Sequence, residues 1–579
     1  MFFIKEFLKN IKFSWQYAKK YKKYLIAFMF INIFYTIVCI TVPLLSAKVI
    51  INLTNNNMLQ LLFIAFIIML IEWLRNILNF FAIYNYDKLF RNTYVDLQTS
   101  IGREILKIEN KDINKSGSGL FIQRLTSDTT NISNILPRLL DYVGGILTNI
   151  GIFLAIFIIN KIVFVFILLS TIFLYFIEKK RVSLRNEQDK KYRKMNEKVS
   201  SFTGEMVRGI KDIKMLNSED GFINELHNKV ASLNNQRYNM NKIDRTYRLI
   251  SGSLLNLKDF AFIVLIVVLI NNRIITIANA LIIYNYSSRV TNVIYNIGYL
   301  LQEIKNFNLS VERINEIMDS TSDKFKKEHF GTKHIKKVKG NFEFKDVVFS
   351  YDEQLVLNKI NFKVDANNTV AFVGKSGAGK TTIFNLLCKL YDVNSGVITI
   401  DGIDISKLDK DSIRGNITII NQSPYIFNVS IRDNLRLVKE DLTDEDMIEA
   451  CKAACLHDFI MELPNGYDTV VGEGGVNLSG GEKQRLAIAR ALVQKTKIIL
   501  FDEATSALDN ETQSQIQAAI NNLKGDYTII IIAHRLSTVI NSDKIYVLNE
   551  GKIVGSGTHK ELLKQCNFYN TLYNKDLQK

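Results

Sequence analysis

The chain has 579 residues, 47% of them hydrophobic, and 73 Lys and Arg against 57 Asp and Glu give a formal net charge of +16. That length exceeds what one hydrophobic core supports, and the long uncharged runs fall almost entirely before about residue 300, so two unlike halves are expected. The basic excess argues against a nucleic-acid surface: seven lysines precede Tyr24 beside a single Glu, Lys and Arg crowd residues 179–248, both stretches flank apolar runs, and no base-stacking aromatic motif accompanies them.

The first stretch, MFFIKEFLKNIKFSWQYAKKYKK, interleaves apolar residues with lysines. This does not fit a signal peptide and predicts an amphipathic helix on the inner membrane surface. A spanning helix needs about 20 mostly apolar residues. Six runs are read as spans: Leu25–Ala47, Leu59–Tyr86, Leu139–Ile159, the shorter Ile162–Ile177, Leu254–Ile270 and Ile274–Leu301. The long connections 87–138 and 178–248 are dense in Lys and Arg, whereas the three short turns hold only Lys48, Lys161 and Arg273. Both termini and both long loops are therefore placed in the cytoplasm of a multi-pass integral membrane protein. The long loops keep helical spacing with few Pro or Gly, which predicts helices reaching well beyond the bilayer.

Some ionisable residues fall inside the expected spans, among them Glu72 with Arg75, Lys258 with Asp259, and Arg289. Each would cost about 2.5 to 3.5 kcal/mol facing lipid near the bilayer centre. Two readings stand, pairing at the cytoplasmic end, with Glu72 and Arg75 on one helical face, or a substrate-facing role. The five cysteines, Cys39, Cys388, Cys451, Cys455 and Cys566, show no metal spacing and suit a reducing compartment.

The charged stretch TSDKFKKEHFGTKHIKKVKG marks a linker over 321–340, between a transmembrane part, 1–320, and a soluble α/β domain, 341–579. The soluble part opens with strand-like runs, NFEFKDVVFSY and INFKV. TVAFVGKSGAGKTTIFNLL then gives a strand, a glycine loop and a helix, with Gly374, Gly379, Lys380 and Thr381 in the pattern G-x-x-x-x-G-K-[ST]. Backbone N–H groups of the loop Gly374, Lys375, Ser376, Gly377, Ala378, Gly379 and of the following Lys380, Thr381 and Thr382 are placed to wrap phosphates; Lys380 reaches the β and γ groups, and the Thr381 hydroxyl can hold Mg²⁺. A second buried strand, KIILFDE, ends in Asp502, suited to metal-bound water, and Glu503, suited to orienting an attacking water. A third, YTIIIIAHR, delivers His534 to the same sheet edge, where open α/β sheets bind ligands. In NLSGGEKQR two glycines head a good helix pattern, a costly choice inside a helix but one that lets an anion approach free N–H groups at a helix start.

Across nearly its full length the chain resembles an ABC exporter half-transporter, six spans fused to one nucleotide-binding domain. The elements occur in order: Tyr351 like the aromatic that stacks on adenine, the Walker A loop, Gln422 in INQSPYIF like the Q-loop, LSGGE, Walker B with Glu503, SALD ending at Asp509, and His534 like the switch histidine. The resemblance implies a P-loop NTPase fold with an α-helical subdomain, ATP and Mg²⁺ as bound groups, and Mg²⁺ held near Thr381, Gln422 and Asp502. It also implies head-to-tail pairing with a second half-transporter chain, so that Ser479, Gly480 and Gly481 of one chain complete the pocket of the other. GSGLFIQRLTSD and SFTGEMVRGIKDIKMLNSED look like the first and second intracellular loops, with short docking helices expected near Asn110–Gly117 and Asn217–Phe222, and VGEGG resembles the exporter-specific loop. Glu482 stands where Gln is commoner, Gly474 where Arg is usual and Val470 where Glu is frequent.

The function expected from this resemblance is ATP-driven export of an amphiphile (drug, lipid or small peptide) from a bacterial cell through its inner or plasma membrane, with the ATPase in the cytoplasm. An ATP-gated channel or sensor keeps the same motifs and stays open as an alternative, as does a heterodimer beside the homodimer. Fusion of spans and ATPase argues against an importer, and the spans argue against a soluble chromosome or repair ATPase.

Overall fold

A computed structural model describes residues 2–54, 58–290, 292–320, 322, 324–472, 475–502, 510–533, 536 and 539–577. The chain divides into two units, Met1–Leu106 with Gly117–Lys324, and Lys107–Ser116 with Phe325–Lys579.

The first unit is helical. In chain order the helices are α1 (Phe2–Ala18), α2 (Lys22–Thr54), α3 (Met58–Ile105), α4 (Asn110–Ser116, part of the second unit), α5 (Ser118–Gln123), α6 (Thr129–Ile159), α7 (Lys161–Arg208), α8 (Ile210–Met215), α9 (Glu219–Asn271), α10 (Ile277–Val290) and α11 (Asn292–Met318). Among the described residues, five segments are long and apolar enough to cross a membrane: Glu6–Ser46, Met58–Ile105, Ser118–Ile159, Lys161–Arg208 and Glu219–Asn271. The sixth expected span, 274–301, runs across Thr291, which lies outside the described residues, and α10 and α11 stand on either side of it.

The charged loops are helical because their spacing continues that of the spans. At about 1.5 Å per residue, the 48 residues of α7 and 53 of α9 reach roughly 70 to 80 Å, more than twice the hydrocarbon thickness of about 30 Å. The tight turn between α6 and α7 is made by Asn160, whose Oδ1 accepts from Ile162 N at 2.9 Å and Val163 N at 3.0 Å, capping α7. The short helix expected at Asn217–Phe222 lies elsewhere: α8 occupies Ile210–Met215, and Glu219 to Phe222 form the first turn of α9. Asn217 at φ 50° supplies the break, since Asn tolerates the left-handed region better than most residues.

Inside the apolar runs, Arg75 Nη2 lies 2.6 Å from Glu72 Oε2 and Lys258 Nζ 2.9 Å from Asp259 Oδ1, so both pairs are formed. The side chain of Arg289 lies outside the described residues. An Arg138–Glu303 ion pair joins α6 to α11, and Arg181 Nη1 meets Asp244 Oδ1 at 2.6 Å between α7 and α9; neither was read from the sequence.

In the second unit the strands are β1 (Phe342–Tyr351), β2 (Gln354–Val364), β3 (Thr369–Gly374), β4 (Ser395–Ile400), β5 (Ile403–Asp404), β6 (Ile417–Ile420), β7 (Val429–Ser430), β8 (Val470–Val471), β9 (Ile498–Asp502), β10 (Thr528–Ile532), β11 (Lys544–Asn549) and β12 (Lys552–Gly557). One sheet has the order β12-β11-β3-β10-β9-β6, parallel except for β12; a second, antiparallel sheet has the order β2-β1-β4-β5. The parallel strands read as unbroken apolar runs because both faces are covered. Ala371, Val373, Ile499, Phe501, Ile529 and Ile531 pack into a core shared with the helices of residues 431–494. Their neighbours Val370, Phe372, Ile498, Leu500, Ile530 and Ile532 pack into the core shared with the antiparallel sheet. This period of two fixes which core each side chain enters, and the parallel direction of β3, β6, β9 and β10 brings their C-terminal ends to the same edge.

Of the expected linker, Phe325 and Val338 are buried at 0% and 3% exposure within this unit. The residues just before α4 join the same segment by backbone bonds, Glu109 N to Lys326 O at 2.9 Å and Glu328 N to Lys107 O at 2.8 Å, while Lys326 N donates to Asp112 Oδ2 of α4 at 2.8 Å.

Candidate functional site

The site grows from the C-terminal ends of neighbouring parallel strands. β3 ends at Gly374, β9 at Asp502 and β6 at Ile420, two residues before Gln422. β10, between β3 and β9, runs out at Ile532 toward His534. Glu503, Asp509, His534 and Gly474 lie outside the described residues.

After β3 the backbone turns through Gly377 at φ 79° and Gly379 at φ 98° into the helix Lys380–Leu387. At Gly379 a Cβ would stand 2.6 Å from Leu357 Cδ2 and 3.3 Å from Val356 O, so glycine is required by both conformation and space. Lys375, Ser376 and Gly377 at the loop tip are exposed, whereas Ala378, Gly379, Lys380 and Thr382 are buried. Lys380 is only 5% exposed, and its Nζ donates to the carbonyls of Gly374 at 2.9 Å and Lys375 at 3.1 Å. A buried ammonium is tolerated because its own loop solvates it, and those bonds hold it in the cradle where an anionic ligand would take them over. Thr381 is exposed, with Oγ1 3.3 Å from Asp502 Oδ1. A hydroxyl and a carboxylate oxygen side by side at a strand edge are the hard oxygen donors that suit Mg²⁺, so the residues present fit both a triphosphate and its cation. Lys380, Thr381 and Asp502 are thus brought to one edge, as the sequence predicts.

Tyr351 ends β1. Its hydroxyl accepts from Asn385 Nδ2 at 3.2 Å, and its ring lies edge-on to Tyr391 at 5.1 Å and Phe349 at 4.8 Å. Asp352 follows at φ 50°, and its Oδ1 takes Lys111 Nζ at 2.8 Å and Lys115 Nζ at 3.1 Å, both from α4. The Lys111 and Lys115 hydrogen bonds hold the Asp352 carboxyl below the usual carboxylate range, that of Lys111 most strongly. A cavity of about 400 Å³ opens beside Tyr351 and these lysines; no residue of the Gly374–Thr382 loop lines it. The convergence of two α4 lysines on Asp352 was not legible, since 237 residues separate Lys115 from Asp352.

Ser479 is the N-cap of the helix Gly480–Gln494. Ser479 and Gly480 are exposed, while Gly481 is buried. Glu482 N donates to Ser479 Oγ at 3.3 Å and Ser479 N donates to Glu482 Oε2 at 2.7 Å, a reciprocal capping box. The departure from Gln at this position therefore has a local role. Glu482→Gln is expected to leave thermal stability nearly unchanged, because an amide oxygen also accepts, while Glu482→Ala is expected to cost about 0.5 to 1 kcal/mol in unfolding of this unit, measured by denaturant titration. Equal losses in both would show the carboxylate charge, rather than the bond, to matter.

The exposed Gln422 is tied by its backbone: Gln484 Nε2 donates to Gln422 O at 3.1 Å, so the helix that carries Ser479 also holds the segment after β6. Gln484, one of the buried polar residues, was missed because nothing in its neighbourhood separates it from a solvated helix face.

A family model described as ABC transporter matches residues 357–506, and one described as ABC transporter transmembrane region matches residues 25–294. An ATP-dependent lipid A-core flippase of Haemophilus influenzae is 47% identical over 246 residues, 42% of each chain. A heavy metal tolerance protein of Schizosaccharomyces pombe is 42% identical over 291 residues, 50% of this chain and 35% of that one. ABC transporter B family member 1 of Dictyostelium discoideum is 47% identical over 251 residues, 43% of this chain and 28% of that one. The chain thus spans less than half the length of these curated relatives.

Proposed function

Because the chain belongs to the ABC transporters, with a transmembrane region and an ABC unit in one polypeptide, we propose that it is half of an exporter that hydrolyses ATP to move an amphiphile across a bacterial inner or plasma membrane. The observation that carries this reading is the convergence of Lys380, Thr381 and Asp502 at one sheet edge, in a chain with five segments long and apolar enough to span. Two such chains, identical in the simplest case, pair head to tail and bring the total to twelve spans, six from each, with 274–301 as the sixth. Domain limits are taken as 1–320, 321–340 and 341–579.

In this reading the loop amides from Gly374 to Thr382 and the Lys380 ammonium bind the triphosphate, and Tyr351 offers its ring to adenine. Thr381, Asp502 and Gln422 hold Mg²⁺, which when bound neutralises charge on the phosphates. Glu503 orients the attacking water and takes its proton, and His534 contacts the terminal phosphate. Ser479, Gly480 and Gly481 of the second chain direct helix-start N–H groups at the same phosphate, and Asp509 shapes that seam. Two nucleotides buried between the chains supply the differential affinity that favours closure, and closure moves the spans.

The flippase relatives, named for a lipid cargo, favour a lipid or lipid-like amphiphile here. In proteoliposomes with the ATPase facing outward, MgATP is expected to drive fluorescent lipid or amphiphilic dye into the far leaflet or lumen, and Glu503→Gln to stop it while still binding ATP. Ion conductance that persists without hydrolysis would establish the channel instead.

A further inference from the structure

Helix α1 has two chemically distinct faces. Asn10, Ser14 and Ala18 are buried, at the i, i+4 spacing of one helical stripe. Asn10 Nδ2 donates to Asn308 Oδ1 of α11 at 3.1 Å, Ser14 Oγ donates to Ile132 O of α6 at 3.1 Å, and Phe7 stands edge-on to Phe307 at 5.8 Å. These directional bonds fix the register of α1 on both helices, which apolar packing alone would leave free to slide.

The opposite face carries Leu8 at 56% and Trp15 at 41% exposure, with the exposed Lys9, Lys12 and Lys19 alongside. None of these lysines has an ion-pair partner among the described residues, whereas Lys20 is held by Asp96 at 3.1 Å. A three-residue turn, Lys19–Tyr21, leads directly into α2, whose apolar run starts at Leu25. A span that begins at Leu25 would set this face at the polar boundary of the bilayer. Leu8 and Trp15 suit the apolar side of that boundary, and a row of unpaired lysines suits negative headgroups.

We propose that this face is a docking surface for the anionic headgroups of inner-leaflet phospholipid, and that its occupancy is relayed through the Asn10–Asn308 and Ser14–Ile132 bonds to α11 and α6 and thence to the rate of ATP hydrolysis. The relay rests on the ATPase reading; the docking surface does not. The apolar edge attracts any phospholipid, and the lysine row selects the anionic ones.

Trp15 and Trp73 are the two tryptophans of the chain, so a Trp73→Phe background makes Trp15 a sole reporter. In nanodiscs of phosphatidylcholine doped equally with brominated phosphatidylglycerol or brominated phosphatidylcholine, the anionic quencher is expected to act at least about twofold more strongly on Trp15. High salt should erase the difference. The triple variant Lys9→Gln, Lys12→Gln, Lys19→Gln is expected to lose it while keeping its ATPase rate in pure phosphatidylcholine. Equal quenching by both lipids, or an unaltered preference in the triple variant, overturns the docking surface.

For the relay, phosphatidylglycerol is expected to raise ATPase activity about fivefold in the parent protein, and Asn10→Ala to abolish that rise while keeping the quenching preference. A full rise in Asn10→Ala overturns the relay. Quenching preference in a protein with no ATPase in any lipid supports the surface and overturns both the relay and the ATPase reading.

Discussion

Lys380→Ala is expected to lower ATP hydrolysis at saturating MgATP by about 10²- to 10³-fold, the usual consequence of removing one preorganised electrostatic group from a charged transition state. The Lys380 ammonium is buried, is solvated by the carbonyls of Gly374 and Lys375, and sits on the first turn of the helix Lys380–Leu387. It is therefore paired to its own loop before a ligand arrives and needs little reorganisation to meet one. In the proposed role its charge acts on the transferred γ-phosphoryl group, so the fall should be chiefly in kcat. Lys380→Arg should not rescue, because the branched guanidinium is larger and its donors point in a fixed fork. Loss of the two carbonyl partners also has a structural cost, so the control is the unfolding free energy without nucleotide, expected to fall by no more than about 1 to 3 kcal/mol. A variant that keeps more than about a tenth of the parental kcat while staying folded would remove Lys380 from the chemistry.

The second large effect concerns two chains rather than one. Ser479→Arg is expected to abolish hydrolysis as completely as Lys380→Ala, by placing a long side chain on the exposed helix start that, in the proposed dimer, meets a phosphate of the other chain. The informative experiment mixes the two inactive chains. In a head-to-tail dimer of unlike variants, one pocket carries both defects and the other carries neither, because the Gly374–Thr382 loop and the Ser479 helix start of a pocket come from different chains. Equal co-expression makes about half of the dimers mixed, so activity should return toward about a quarter of the parental rate if the pockets fire independently. No recovery, with mixed dimers demonstrated by differential tags, would place Ser479 and Lys380 of the same chain in one pocket.

The elements that fix this chemistry were legible because they depend on local constraints. A strand buried on both faces needs an unbroken apolar run, and a phosphate loop needs glycine where Gly379 turns at φ 98° against Leu357. Lys380, Thr381 and Asp502 accordingly stand where the motifs place them. What stayed hidden depends on pairing over distance or on competition between neighbours. Lys111 and Lys115 looked like two more basic loop residues until Asp352 stood opposite them. Gln484 could not be told from an exposed helix residue, nor its bond to Gln422 O foreseen. The short helix expected at Asn217–Phe222 was placed on the wrong side of Asn217, because Gly209 and Asn217 both allow a stop and only packing selects the segment between them, which coils as α8. Glu482 was noticed as unusual, yet its partner, Ser479 three residues earlier, was assigned to a ligand alone.

Helix α4 is made early in the chain and finds its partners late. Asp112 waits for Lys326, 214 residues further on, and Lys115 for Asp352, 237 residues further on. At a synthesis rate of roughly 5 to 20 residues per second, that interval is about 10 to 50 s. For that time the backbone edge at Lys107–Glu109 and the lysines of α4 are without the partners they have in the folded unit, so maturation of this polypeptide includes a waiting period set by the length of chain still to be made.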